Sequence, residues 1–501
     1  MNRNKYKDRR LFFYFLFGAS ILILLLRLIN IQIIDSSYKL SANNNVIKAV
    51  TLYPERGYIY DRNGTLLVSN QRAFDLMVIP RQVKKMDTLT FCRIIDIEKD
   101  YFDNQLNKAR RYSRNRASIF IKEISKQTAA KIQEQLYQFS GFSLQERTMR
   151  EYPEKSAAHL LGYVSQVPDY ILKKNDYYKK NDNFGMTGVE NSYEKDLRGT
   201  QGVKYVIRDV WNAPKGSFQN GKYDSIAVNG KDLELTIDNE IQKYAEQLMQ
   251  NKKGSIVAIE PGTGEILALV SSPYYDPNLL IGRSRSPNFN RMYKDANKPL
   301  FDRSLLAEYP PGSTFKLLNA LIGLQEDVIY SGTRFSCDMG WRFSPKLKIG
   351  CHAHNSPLNL TESIAQSCNA YYCNTFRRII EKYNSAEKGY DNWRNHILSF
   401  GLGNFLGNDL PVGQPGRIPD AEYYNKWYPE NRWQATYTLS NGIGQGEVAT
   451  TPIQLANMTA AIANRGWYYT PHILKEIDDN PIKDEKYTTK NITTIDAKNF
   501  E

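Results

Sequence analysis

Ser313 and Lys316, in the stretch AEYPPGSTFKLLNALIGL, are the two residues of this sequence best placed to do chemistry. On a helix that spacing puts a hydroxyl and an amine on one face, where the amine can take the serine's proton. Spacing alone is a weak signal, since S-x-x-K also begins at Ser36, Ser192 and Ser385. Each of those reads equally well as ordinary polar surface. Context singles out Ser313: Pro310, Pro311 and Gly312 stop the preceding segment, and an apolar helix is expected to begin at the serine. A helix start offers unpaired amides and the positive end of the dipole to an oxyanion, and partial burial brings a lysine pKa down toward that of a usable base.

A second polar triplet, Ser367-Cys368-Asn369, lies between two helical patterns in LTESIAQSCNAYYCN. The S-x-N pattern recurs at Ser41, Ser113 and Ser286, so position between helices downstream of the nucleophile selects Ser367 and Asn369. Cysteines gather around this triplet. Of the five, Cys337, Cys351, Cys368 and Cys373 are clustered and Cys92 stands apart; an odd number cannot pair completely within one chain. Cys337, Cys351, His354 and Cys368 form C-x13-C-x2-H-x13-C, and three sulfurs with one imidazole suit tetrahedral zinc, with Asp338 and His352 as substitute ligands. These spacings are not those of a zinc finger. A Cys337 to Cys351 disulfide and buried free thiols stand as the alternatives.

The elements that must position these residues follow from the wider pattern. A chain of 501 residues is too long for one ordinary core. Its formal charge of +13 favours anionic partners, yet no zinc-finger, RNA-recognition or basic-zipper pattern accompanies that charge, which argues against nucleic acid. The 34 tyrosines are core and surface filler or cover for sugar and peptide ligands. The basic start MNRNKYKDRR runs into LFFYFLFGASILILLLRLINIQII, long enough to span a bilayer and followed by no small-residue cleavage site. The positive-inside rule then places residues 1–10 in the cytoplasm, an anchor over 11–34 and the remainder outside. GYIYDRNGTLLVS and FDLMVIP alternate around an Asn-Gly turn as a hairpin, and 84–147 has the periodicity of an inserted α+β lobe. Residues 173–183 and 215–232 read as loops, the second a domain boundary. Beyond it, LELTIDNEIQKYAEQLMQ predicts a capped helix, and SIVAIE with GEILALV an antiparallel pair.

Taken together, YPPGSTFK, SCN, KGSIVAIEPGTGEILALVSSPYYDPN and SNGIGQGEVATTPIQLANMTAAIANRG resemble the transpeptidase domain of the penicillin-binding proteins, a family with S-x-x-K, S-x-N and K-T-G motifs. PERGYIYDRNG, REYPEKSAAHLLGYV and GMTGVENSYEKDLRGTQG resemble the pedestal of its class B, which argues against a β-lactamase. The bare chemistry of those blocks gives turns plus Arg56, Asp61, Arg62, Glu190 and Arg198 as groups able to pair. The paired prolines before the serine are similar to the elongation-type (penicillin-binding protein 2) subfamily, in which a metal near the cysteine cluster is reported.

The resemblance implies a multidomain α/β fold: an anchor, a β-rich dimerisation-type pedestal over 35–230, and a transpeptidase domain of antiparallel sheet and flanking helices over 231–501. It implies a peptidoglycan D,D-transpeptidase or carboxypeptidase of the inner membrane, acting outside the cytoplasm in elongation and cell shape and trapped by β-lactams. Ser313 would attack the D-Ala-D-Ala carbonyl of a stem peptide with Lys316 as base, Ser367 relaying the proton to the leaving amine and Asn369 holding substrate and lysine. No cofactor beyond a structural zinc is implied. A SEDS-type membrane glycosyltransferase and elongation-complex proteins are the implied partners. The third motif, K-[ST]-G, does not follow the GQG block before Glu501. The sequence is therefore expected to be a fragment of low activity, with a non-catalytic scaffold, a division-type transpeptidase and a β-lactam sensor as rivals.

Overall fold

The computed structural model describes residues 5–29, 47–180, 182–208, 214–343, 348–428 and 432–501. Ser36, Ser41, the extreme N-terminus and the last residues of the expected anchor lie outside these. A helix spans Lys5–Ile29, and its apolar part, Phe12–Ile29, has a mean hydropathy of 2.3 with none of it buried. At 1.5 Å per residue this stretch is about 27 Å long, near the thickness of a hydrocarbon core.

The described chain forms two compact units. The first comprises residues up to 55 together with 74–146 and 199–230. Its inserted lobe is helical where the periodicity predicts: Thr88–Ile95 starts on an Asp87 cap, Lys99–Tyr112 follows, and Lys126–Gln133 starts on Ser125. They enclose an aromatic core in which Phe91 meets Phe139 edge-on at 4.8 Å, with Phe102, Phe120 and Phe142 around it and Cys92 buried among them. The same unit holds a sheet ordered Ile47–Leu52, Gly202–Arg208, Pro214–Ser217. The expected 215–232 loop therefore contributes an edge strand, because its start pairs antiparallel with the Gly202–Arg208 strand.

The second unit takes in 56–73, 147–198 and 231–501. Two pieces of the expected 35–230 pedestal thus pack with the C-terminal region. The cause is a shared core: Ile59, Leu67, Val68, Tyr152, Leu161, Val189 and Leu197 are buried in one cluster with Leu233, Leu235, Ile266 and Leu474. The strand Leu233–Leu235 lies between Ile59–Tyr60, which it pairs in parallel, and Leu474–Ile477, which it pairs antiparallel. Ile59–Tyr60 in turn forms the predicted hairpin with Leu66–Val78. Gly57 is required at this junction, since a Cβ there would sit 1.8 Å from the Lys231 carbonyl oxygen.

Charges in this unit are sorted more finely than the sequence indicates. Glu190, fully buried, binds Arg56 at 2.5 Å and Arg150 at 2.7 Å, and Arg56 also reaches Glu194 at 2.6 Å. Arg62 pairs with Glu265 at 3.2 Å. Asp61 instead accepts the backbone amides of Asn63, Thr65 and Asn239, and Arg198 lies over the Tyr177 ring at 3.6 Å. Breaking a buried pair by removing one partner costs about 3–5 kcal/mol, so Arg150 and Arg56 are held as a set.

The remainder of the unit is mixed helix and sheet. Asp238 caps the predicted helix Asn239–Leu248, and Gly254–Ile259 pairs antiparallel with Ile266–Ser272. Helices Lys316–Gln325, Asn369–Glu381, Ala386–Ser399 and Pro452–Ala463 surround a core containing Tyr371, Tyr372, Phe376, Trp393 and Phe400. At the C-terminal end of the Lys316–Gln325 helix, Glu326 is locked by Lys382 and His396 at 3.0 Å each, Tyr383 Oη at 2.8 Å and Asn392 Nδ2 at 2.9 Å.

Burial opposes the Glu326 charge, but donation from His396, Tyr383, Lys382 and Asn392 outweighs it and holds the carboxyl down at about 2. A depressed carboxyl contributes stability that is present above its ordinary pKa of 4.5 and is lost as pH falls toward 2. Glu326→Gln is therefore expected to cost on the order of 1–3 kcal/mol at neutral pH. Thermal melts of parent and variant should converge as pH drops from 5 to 3; a gap that does not narrow would contradict this origin.

Candidate active site

Ser313 is held from both sides of its turn. The residues Gly312–Phe315 form a tight 3-10 turn and the α-helix proper starts at Lys316, so the serine precedes the helix rather than opening it. Gly312 takes φ +64°, a left-handed value that glycine adopts without strain, and its amide donates to the Gly444 carbonyl at 2.8 Å. Gly444 is itself at φ +69°, and a Cβ on it would lie 2.3 Å from the Gly312 oxygen. Asn319, fully buried, extends the same clamp by donating to the carbonyls of Phe315 at 3.2 Å and Gly442 at 3.1 Å, while Trp393 Nε1 donates to its oxygen at 2.8 Å.

The second triplet is brought to the first. Leu360–Ala365 starts on a reciprocal cap between Asn359 and Glu362, and Asn369–Glu381 starts on Cys368, whose sulfur accepts the Tyr371 amide. Between these helices Ser367 is forced to φ +49°, which turns its side chain toward Ser313. Such a conformation is costly for a non-glycine residue and persists only where its surroundings hold it. Ser367 Oγ lies 2.9 Å from Ser313 Oγ. Lys316 Nζ donates to Ser367 Oγ at 2.9 Å, Ser367 O at 2.6 Å and Asn369 Oδ1 at 2.7 Å. All four expected residues thus meet, but among the described residues Lys316 has no hydrogen bond to Ser313, and Ser367 bridges them. Lys316 is 3% exposed, and burial lowers its pKa against the upward pull of the nearby cysteines.

The other occurrences of both patterns are placed differently. Ser385 caps the helix Ala386–Ser399 by accepting the Lys388 amide, and Ser113 Oγ accepts the amides of Asn115 and Arg116. Ser192 ends the short helix Gly188–Ser192, and Ser286 lies within Arg285–Lys294.

Cys337, Cys351, His354 and Cys368 present ligand atoms all within 4.8 Å of one another. Tetrahedral zinc with sulfur at about 2.3 Å has ligand–ligand edges of about 3.8 Å, so the donor set fits such an ion. Cys351 Sγ lies 3.5 Å from His354 Nε2, and no disulfide joins the pair Cys337 and Cys351. Burial raises the Cys351 thiol, but the Asn369 amide and His354 bring it below its ordinary pKa; burial pushes Cys368 up to about 12. Asp338 faces Arg342 at 3.5 Å instead, and His352 packs against the His354 ring. The cluster touches the Ser367–Asn369 triplet directly: Cys351 Sγ accepts the Asn369 amide at 3.3 Å, and Gly350 O accepts Asn369 Nδ2 at 2.8 Å. Gly350, Gly444 and Asn319 are the supports that sequence reasoning missed. Only the glycine density of SNGIGQG pointed toward one of them.

Two family models match the chain: the penicillin-binding protein dimerisation domain over residues 51–235, and the penicillin-binding protein transpeptidase domain over 254–501. The peptidoglycan D,D-transpeptidase MrdA of Acinetobacter baumannii is 32% identical over 483 residues, covering 94% of this chain and 69% of that protein. MrdA of Escherichia coli K12 is 31% identical over 471 residues, 90% of this chain and 71% of the relative. Among solved structures, Helicobacter pylori penicillin-binding protein PBP2 in complex with MreC superposes with a TM-score of 0.70 at 26% identity, covering 88% of this chain and 82% of that one. Pseudomonas aeruginosa PBP2 in complex with WCK 5153 gives 0.63 at 27% identity, over 90% and 78%.

Because the Gly444–Gly312 approach sets the Ser313 turn, Gly444→Ala should slow covalent labelling of the chain by a fluorescent penicillin at least tenfold. Labelling at the parental rate would show that the turn does not depend on this contact.

Proposed function

The chain belongs to the penicillin-binding protein family, joining its dimerisation and transpeptidase domains, and on that premise we propose that Ser313 is the nucleophile of its acyl transfer. Its relatives make it a peptidoglycan D,D-transpeptidase of the elongation type, and the MrdA likeness favours that reading over the division-type alternative. The observation that carries the assignment is the continuous chain Ser313 Oγ, Ser367 Oγ, Lys316 Nζ, each link 2.9 Å.

In this reading Lys316, made a weaker acid-holder by burial, takes the Ser313 proton by way of Ser367 as Ser313 Oγ attacks the carbonyl between the terminal D-alanines of a stem peptide. The tetrahedral intermediate then collapses; the C–N bond breaks, and the proton returns through Ser367 to the departing D-alanine amine. An amine of a neighbouring stem peptide attacks the acyl-Ser313 ester and regenerates the hydroxyl, while water in its place gives the carboxypeptidase product. Asn369 keeps Lys316 and Ser367 in register. β-Lactams stop at the acyl stage.

We further assign Cys337, Cys351, His354 and Cys368 to a structural zinc, which would supply a rigid cross-link between the paired strands Gly340–Arg342 and Lys348–Gly350 and the Ser367 turn. The Phe12–Ile29 helix supports a single membrane anchor within 11–34, with the pedestal over 35–230 and the transpeptidase domain over 231–501 on the periplasmic side. A SEDS-type glycosyltransferase is the proposed membrane partner, and the H. pylori relative solved with MreC supports elongation-complex contacts.

Two measurements test these assignments. Ser313→Ala should abolish covalent labelling by fluorescent penicillin and Lys316→Ala should slow it at least a hundredfold; labelling that survives Ser313→Ala refutes the nucleophile. Elemental analysis of the purified chain should find stoichiometric zinc, lost in Cys351→Ser together with several degrees of thermal midpoint. Absence of zinc from the parent would sink the metal assignment.

A further inference from the structure

Three sulfurs of the cysteine and histidine cluster stand where their oxidation would reach the reaction centre. Cys337, Cys351 and Cys368 present sulfur atoms within 4.8 Å of one another, and a disulfide needs two of them at about 2.05 Å. Cys337 and Cys351 are partly exposed, whereas Cys368 is 1% exposed and its sulfur is engaged by the Tyr371 amide at 3.4 Å. The remaining thiols are shielded: Cys373 is fully buried on the Asn369–Glu381 helix, and Cys92 lies within the aromatic core of the inserted lobe. An oxidant arriving from solvent therefore meets Cys337 and Cys351 first.

These two cysteines flank one pair of strands. Cys337 precedes Gly340–Arg342, Cys351 follows the partner strand Lys348–Gly350, and the Cys351 amide donates to the Met339 carbonyl at 3.0 Å. A bond between their sulfurs would join neighbours across that pair. Cys351 is also the sulfur that accepts the Asn369 amide at 3.3 Å, and Asn369 Oδ1 accepts Lys316 Nζ at 2.7 Å. One residue thus separates an accessible sulfur from the buried amine.

We propose that Cys337 and Cys351 form a redox switch: a disulfide-bearing oxidant converts them from zinc ligands to a disulfide, which frees the metal and slows acylation of Ser313. This rests on the zinc reading. The Cys337 thiolate attacks one sulfur of the oxidant RSSR, forming a mixed disulfide and expelling one thiolate. Cys351 then attacks the Cys337 sulfur, expels the second thiolate and closes the bond. The cysteine pair gives up two electrons, the oxidant takes them, and two protons from solvent convert the expelled thiolates to RSH. His354 and Cys368 supply only two of the four ligands of a structural site, so the ion is released. Closing the bond draws Cys351 Sγ toward Cys337 and replaces a charged acceptor with a weaker neutral one, which loosens Asn369 against Lys316. A dithiol reductant runs the same exchange backwards. Outside the cytoplasm, thiols meet oxidants of this class.

The test uses the full chain in detergent, purified under reductant, assayed for zinc and then treated with oxidised glutathione. Released zinc is read with a chromogenic chelator, the new bond by non-reducing peptide mapping, and the site by the rate of labelling with a fluorescent penicillin. Expected are one zinc released per chain, a bond between Cys337 and Cys351, and labelling slowed at least fivefold, all restored by dithiothreitol with added zinc. Cys337→Asp keeps four ligand atoms, because a carboxylate oxygen also binds zinc, but cannot form the bond. It should hold its zinc and keep its untreated labelling rate in oxidised glutathione. A treated parent that retains zinc and free thiols overturns the switch and leaves the zinc assignment standing, as does a bond mapped to Cys368 or Cys373, or labelling unchanged by oxidation. A Cys337→Asp chain that binds zinc and then loses it to the oxidant as the parent does overturns the switch too. A parent purified without zinc sinks the metal assignment and the switch with it, and one that penicillin does not label when reduced refutes both the nucleophile and its control.

Discussion

A single ammonium group organises the candidate site. Lys316 Nζ is nearly excluded from water, and its three hydrogen bonds all go to the Ser367–Asn369 turn. A buried amine with fewer partners would leave donors unsatisfied at a cost of about 1–3 kcal/mol each. The turn is therefore constrained to one position, and the left-handed conformation of Ser367 is the geometric consequence. The surrounding elements serve to hold this arrangement in place.

Two sets of supports do so from opposite directions. On one side the close approach of Gly312 and Gly444 fixes where Ser313 enters its helix, and buried Asn319 and Trp393 tie that approach to the core. On the other, the cysteine and histidine cluster bonds to Asn369 through Cys351 and flanks it through Cys368. The triplet and the metal-type cluster are thus interleaved in sequence and in space. A distortion at the sulfurs passes to Asn369 through one sulfur–amide contact, with no intervening flexible side chain.

The buried Glu190, bonded to Arg56 and Arg150, plays the comparable part far from the serine. It joins the PERG, REYP and GVEN segments, distant from one another in sequence, around a core shared with the Leu233–Leu235 strand. That sharing is why residues 56–73 and 147–198 fold with the transpeptidase region although they lie in the stretch expected to form a separate pedestal.

Local chemistry made much of this legible in the sequence. The apolar run of the first helix, the Asn-Gly hairpin, the capped helix after Asp238, and the motif residues Ser313, Lys316, Ser367 and Asn369 all depend on neighbours within a few positions. The pattern could also gather Cys337, Cys351, His354 and Cys368, because ligand types constrain one another even at long spacing. Tertiary structure alone decided which partners those residues take. It interposed Ser367 between Lys316 and Ser313, brought Gly444 onto Gly312, turned Asp61 to the Asn239 amide and gave Arg150 to Glu190. Each of these contacts joins segments tens to hundreds of residues apart, where a glycine's missing Cβ or a carboxylate's choice among several cations leaves no trace in local periodicity.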